Sequence, residues 1–298
     1  MTGSVRAEGK DGIRPTRSMF VRRAPLRFAV IGLVIFWSLP TFGLLISSFR
    51  DARAIQTSGW WEALLQPWEL TQWTLSNYVR VLEGEGMGQA FVNSVIVTIP
   101  ATVIPITIAA FAAYAFAWMR FPFKGTIFII VVGLLVVPLQ MALIPILRLY
   151  STIGISQTFI GVWIAHAAFG LPLAIFLLYN FISQLPKDLF ETAAIDGASH
   201  FQMFSRVVLP LSFPALAAFA IFQFLWVWND LLVALVFLGG DSEVAVMTQN
   251  LRTLLGGRGS AWHLLTAGAF LTMILPLTVF LLLQRYFVRG ILSGSVKG

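Results

Sequence analysis

Cysteine is absent from the 298 residues, and charge is scarce: Asp, Glu, Lys and Arg together make up 11% of the chain. Without thiols there is no disulfide framework, thiolate metal site or redox motif. Histidine occurs three times, at the widely spaced His166, His200 and His263. With no Cys and one Asp inside an apolar run, these assemble no catalytic constellation, so the chain is not read as an enzyme. A phosphate loop is missing as well. Gly256-Gly257-Arg258-Gly259-Ser260 lacks both the lysine and the flanking strand and helix that such a loop requires. No cofactor is expected on this chain.

Apolar residues are present in excess: 58% are hydrophobic and the mean hydropathy is +0.83, which a water-soluble globule of this length cannot bury. Apolar runs fall at about 28 to 48, 90 to 118, 125 to 147, 157 to 180, 212 to 238 and 263 to 284. Each is long enough to cross roughly 30 Å of hydrocarbon as a helix. They are too long and too uniformly apolar for the alternating strands of a membrane barrel. The expected fold is all-α: a polytopic bundle of six transmembrane helices, with both termini cytoplasmic. A basic tail (1–27) precedes the first helix and an external loop (28–89). A core (90–285) and a carboxyl-terminal tail (286–298) follow.

Orientation is read from the positive charges, since Lys and Arg beside a span resist translocation. An inside amino terminus places fourteen of the twenty in the cytoplasm, seven of them from Arg6 to Arg27, and leaves six outside: Arg50, Arg53, Arg80, Arg148, Arg252 and Arg258. The net charge of +7 is thereby accounted for by topology, and no nucleic-acid partner is expected. The first apolar run exceeds the core of a signal peptide and is read as a retained anchor. Trp60, Trp61, Trp68 and Trp73 in the external loop suit the lipid headgroup layer.

Pro40, Pro100, Pro105, Pro138, Pro145, Pro172, Pro214 and Pro276 lie inside the spans, where each removes a backbone donor. Formal charge does not, apart from Asp230 in Trp226-Val227-Trp228-Asn229-Asp230; Asn229 and Asp230 are the candidate pathway residues. His166 is expected to be neutral and hydrogen-bonded within the bundle. An ion-coupled carrier needs more buried relays than this, so the driving energy is expected from a partner.

A polar interruption from 182 to 210 offers that partner a surface. Asp188-Leu189-Phe190-Glu191 and Ser199-His200-Phe201-Gln202 both have capping-box spacing, predicting two short helices around Gly197. The second presents Phe201, Phe204 and Val208 as a stripe and is expected to end at Pro210. Such a stripe either packs under its own bundle or fits a groove on another protein.

Glu191-Thr192-Ala193-Ala194-Ile195-Asp196-Gly197-Ala198 and, further on, Val207-Val208-Leu209-Pro210 resemble the signature loop of permeases of bacterial ABC importers. Thr192 and Val207 depart from that pattern by small changes. Trp73 to Tyr78, Phe91 to Ser94, Trp228-Asn229-Asp230, Gln284 to Gly290 and Gly294 to Gly298 look like the maltose-type carbohydrate permeases in particular. The resemblance implies an ATPase-docking loop carrying Glu191, Ala193, Asp196, Gly197, Ala198, Phe201, Phe204, Leu209 and Pro210. It implies a binding-protein loop with Gly256, Gly257 and Gly259, and a carboxyl-terminal tail that touches the ATPase pair. Its partners would be a second permease subunit, two ATPase subunits holding ATP and magnesium, an extracytoplasmic solute-binding protein, and lipid. The location it implies is a bacterial or archaeal cytoplasmic membrane, and the cargo a sugar or oligosaccharide, with glycerol-phosphate-like solutes or a secondary carrier as alternatives.

Overall fold

The computed structural model describes residues 24–254 and 261–293. Extended pairing among them is confined to one antiparallel bridge between Arg50 and Trp73. Helix α1 (Ala24–Ser48) is followed by a small cap of α2 (Ala52–Thr57), α3 (Trp60–Leu65) and α4 (Ser76–Glu83). The central helix α5 (Met87–Trp118) begins at Gly86, whose φ of 72° only glycine adopts readily. Ala101, Ala109, Ala110 and Ala113 are buried along it, and these small side chains let α8 (Phe159–Ile182) approach along its length.

The third apolar run does not cross as one helix. α6 (Lys124–Gly133) tightens into a 3₁₀ turn at Leu134–Val136, and α7 (Leu139–Ile153) leaves at 103°. Pro138 explains the break, because it drives Val137 out of the helical region, to φ −72° and ψ 117°. α7 packs on α12 (Leu232–Phe237), a helix 79 residues downstream of its end (232 − 153). The fifth run is also shorter than expected. α11 (Phe213–Trp228) stops before Asn229, and Asp230 starts α12 instead, its Oδ2 accepting from the Val233 and Ala234 amides at 2.9 and 3.1 Å. α13 (Met247–Leu254) and α14 (Trp262–Ser293) complete the bundle, α14 extending through part of the segment assigned to the tail. Among the described residues four helices are long and apolar enough to span, and counting each bent pair as one crossing gives six.

Two prolines sit inside α5, and the backbone groups they orphan are recovered from neighbouring helices. Pro100 cannot donate to Ile96, whose carbonyl instead accepts from the Trp163 indole of α8 at 2.9 Å. Pro105 cannot donate to Ala101, whose carbonyl accepts from Gln223 Nε2 of α11 at 3.2 Å. In lipid an unpaired backbone carbonyl is costly, so these two side chains act as splints across the gaps. Gly170 makes room for the second: a Cβ there would lie 2.6 Å from Gln223 Oε1. Gly170→Leu is therefore expected to overpack a buried site and destabilise the chain by about 1–3 kcal/mol. A lowered thermal aggregation midpoint in detergent would register it, and an unchanged midpoint would contradict the splint.

Candidate functional site

The interruption after α8 folds as the two helices expected around Gly197. α9 (Lys187–Ile195) ends in a Schellman arrangement, with Ala198 N bonded to Ala193 O at 2.9 Å and Gly197 N to Ala194 O at 3.1 Å. Gly197 has a φ of 75°, and no atom lies within 4 Å of where a Cβ would sit. Ser199 and Gln202 form the expected capping box for α10 (His200–Met203). The first box is not formed: Pro186 is the cap residue of α9, and Asp188 falls within the first turn with no capping bond. Proline at the boundary sets the entry angle, and Asp188 favours the positive helix end through charge alone.

The predicted stripe is split. α10 widens into a π-helix (Phe204–Val208) before a last turn, Leu209–Leu211, so side chains spaced for 3.6 residues per turn no longer share one face. Phe204 and Val208 are buried, while Phe201 is 69% exposed. The helix also runs one residue past Pro210, and the 72° bend falls at Ser212. The π turn already leaves the amide position of Pro210 without an intrahelical duty, so proline is tolerated there. Phe204 and Val208 thus pack under their own bundle, and Phe201 is left on the surface.

The loop is gripped by the end of α5. Trp118 stacks on Phe190 with ring centroids 3.6 Å apart, and its indole donates to the Ile182 carbonyl at 3.1 Å. Phe111 stacks on Phe204 at 4.4 Å, and the Tyr114 hydroxyl lies 2.9 Å from His200 Nδ1. Phe111, Tyr114 and Trp118 recur at helical spacing near the end of the second span, the signal that would have placed them in the site. Between loop and helix lies a cleft of about 390 Å³ bordered by Arg120, Lys187, Glu191 and His200. Glu191, Asp196, Leu209 and Pro210 face outward, and Ala193 and Ala198 are partly buried. Ile195, 85% exposed, is a second apolar side chain on the surface of the loop.

At the opposite end of α5, Asn93 donates to the Glu243 and Ala245 carbonyls at 2.8 and 3.0 Å, and Ser94 Oγ accepts from Met247 N at 2.8 Å. A cleft of about 600 Å³ opens there, bordered by Glu85, Ser242, Asn250 and Arg252. Gly256, Gly257 and Gly259 lie outside the described residues, as do residues 1–23 and 294–298.

Of the candidate pathway residues, Asn229 is exposed and bonds back to Leu225 O at 2.8 Å, while Asp230 faces inward. His166 corrects the expectation of a hydrogen-bonded imidazole. It is fully buried, neither ring nitrogen has a hydrogen-bond partner among the described residues, and Nε2 is 3.9 Å from Asp230 Oδ2, beyond bonding distance. The ring packs edge-on against Trp226, which with Phe169 and Pro172 borders a cavity of about 280 Å³ at the α6–α7 break. Buried polar atoms left unmatched are costly, and in membrane proteins they mark functional positions.

Known proteins resemble this chain in sequence and in fold. Residues 91–293 match the family described as binding-protein-dependent transport system inner membrane component. An osmoprotective compounds uptake permease protein of Synechocystis is 56% identical over 297 residues, covering 100% of both chains. An alpha-glucoside transport system permease protein of Rhizobium meliloti is 43% identical, covering 93% of this chain and 99% of its own. In fold, a chain of a bacterial ABC transporter that imports the acidic polysaccharide alginate superposes with a TM-score of 0.72 at 19% identity, over 92% of this chain and 99% of that one. The match takes in most of α5 and both bent spans, and the relatives cover nearly the whole chain: this chain is a member of the family of binding-protein-dependent transport system inner membrane components.

Proposed function

We propose that this chain is the permease subunit of an ATP-driven importer for a small neutral sugar or glycoside of the osmoprotective kind. The loop from 187 to 210 carries the reading: it projects Ile195 and Phe201 from a short helical pair that α5 holds from behind. Such a surface fits a groove on a separate ATPase that binds ATP and magnesium. A second permease chain completes the path, and a solute-binding protein delivers cargo to the opposite face. The loop and both termini then lie in the cytoplasm of a bacterial or archaeal cell, as the distribution of Lys and Arg favours.

The cargo class is supported by two relatives, one named for osmoprotective compounds and the other for alpha-glucosides. Neutral polyhydroxylated solutes belong to both classes. Along the proposed path, Trp226 and Phe169 offer aromatic faces for sugar rings, and Asn229 and Asp230 offer polar groups for hydroxyls.

The test is to tag the chain in its native host, extract it in mild detergent and quantify what remains bound. An ATPase and a second permease in fixed ratio are expected. In proteoliposomes with the binding protein, sucrose or trehalose should stimulate hydrolysis more than glycerol 3-phosphate or glycine betaine. A chain that purifies alone and moves solute along an ion gradient without ATP would overturn the importer reading; stimulation by glycerol 3-phosphate alone would overturn the cargo.

A further inference from the structure

We propose that α5 is the transmission element of this subunit, with Tyr114 and Asn93 as its terminal positioning residues and Trp163 and Gln223 as splints that stiffen it. The proposal rests on the docking reading of the loop from 187 to 210.

Both ends of α5 are built into segments that lie on opposite sides of the bundle. At one end three aromatic side chains of α5 hold the loop, through the Phe111–Phe204 and Trp118–Phe190 stacks and the 2.9 Å contact between the Tyr114 hydroxyl and His200 Nδ1. At the other end two consecutive residues hold the segment before α13. Asn93 is 2% exposed and spends both amide hydrogens on Glu243 and Ala245; Ser94 is 3% exposed and takes the Met247 amide. From Asn93 to Tyr114 the helix rises about 32 Å, so one continuous element joins contacts on both faces of a membrane.

A helix transmits axial movement only if its hydrogen-bond ladder resists extension. Pro100 and Pro105 open that ladder in its middle, where it would otherwise be a soft point. Trp163 and Gln223 close each gap from α8 and α11. The splints also tie the motion of α5 to both neighbours, so that a shift begun at the loop moves α5, α8 and α11 as a packed group. Interfaces of this kind move as discrete repackings, not continuous bending. Coupling is reciprocal, so a binding protein seated on the 239–254 segment would bias the ATPases through the same helix.

The absence of native cysteine makes the test direct, since labels can be placed on this chain without background. Ser242→Cys and Gln56→Cys, both exposed, would carry spin labels in the complete complex purified from native membranes and reconstituted. Their separation is measured before and after trapping with magnesium-ATP and vanadate. The expected result is a change in separation that Tyr114→Phe and Gln223→Met each reduce, while the ATPase subunits stay bound and hydrolyse ATP. Solute moved per ATP should fall by about fivefold or more. Trp163→Phe keeps an aromatic ring, smaller than the indole, while removing the donor, and serves the same purpose if Gln223→Met fails to accumulate. A full-sized change in Tyr114→Phe and in the splint variant, or no change in the parent complex, overturns the proposal. Loss of the ATPase subunits from Tyr114→Phe alone would assign the hydroxyl to docking and overturn transmission while leaving the docking reading intact. Absence of ATPase from the unaltered complex overturns both.

Discussion

Gly197→Trp should abolish coupled uptake while the chain still folds and inserts. The φ of 75° costs a residue with a Cβ roughly 1–2 kcal/mol, too little to unfold a bundle of this size. Within this chain the new side chain starts in open space, since no atom lies within 4 Å of its Cβ position. Its bulk therefore projects into the space that a docked ATPase would occupy beside Ile195 and Phe201. Uptake is expected to fall at least tenfold with hydrolysis retained or detached from solute, a coupling loss within the usual range. Gly197→Ala separates the two contributions, because it carries the strain without the bulk and should keep most of the uptake. Radiolabelled uptake, set against hydrolysis by the purified complex, measures both. Normal uptake by fully expressed Gly197→Trp would show that the loop is not clasped at this point.

Arg50→Met should loosen the cap formed by residues 49–74. Arg50 is 1% exposed, and its guanidinium donates to Ala54 O at 3.1 Å, Ser58 O at 3.2 Å, Gly59 O at 2.9 Å and to the Ser58 hydroxyl. Burial lowers its pKa and the charge of Glu62 opposes that shift, yet a guanidinium stays ionised at physiological pH. The cation thus faces the carbonyl ends of α2 and the turn into α3, where positive charge is favoured. Asn77 closes the other side by donating to Ser48 O and Arg50 O at 3.0 and 2.9 Å. Methionine fills similar volume but leaves the carbonyls unmatched, for a loss of about 3 kcal/mol. Protease cleavage within 50–75 should then accelerate about a hundredfold, each 1.4 kcal/mol being about tenfold. An unchanged rate would mean that the arginine is incidental to the cap.

The sequence made the class and the site's outline legible, because both depend on local patterns. Runs of apolar residues mark spans wherever they occur, and the Gly197 turn and the Ser199–Gln202 box are set by a few adjacent residues. What it concealed depends on partners distant in the chain. Pro138 was visible as a kink, but a 103° departure follows from α7 finding α12, a contact between segments far apart in sequence. The stripe Phe201, Phe204, Val208 was drawn with an α-helical period that the π turn does not keep. Arg50 reads in sequence as one more external charge, and only the fold reveals it as the centre of a cap. Trp60 and Trp73 likewise turned out to have duties inside the chain. Trp60 packs against Phe42 with centroids 6.1 Å apart and Trp73 donates to Pro67 O at 3.3 Å, whereas Trp61 and Trp68 remain exposed. His166 was expected to find a partner; its nearest candidate, Asp230, is instead engaged in starting α12.

The exposed face of α1 bears on how the protein is made. Side chains from Pro25 to Phe42 are all exposed, and the largest packing partner of α1 is α14, about 210 residues further along the chain. At ordinary translation rates of about 5–20 residues per second, the first helix waits roughly 10–40 s in the bilayer before the last one is synthesised. For that interval only the last turns of α1 have partners, in α3 and α4, and the stretch before Phe42 is held by its own backbone bonds and the surrounding lipid. Ribosomes that stop short of α14 therefore leave a bundle whose opening helix lacks its largest packing partner. Quality-control proteases that survey the membrane would meet such truncated chains with α14 missing from the side of α1.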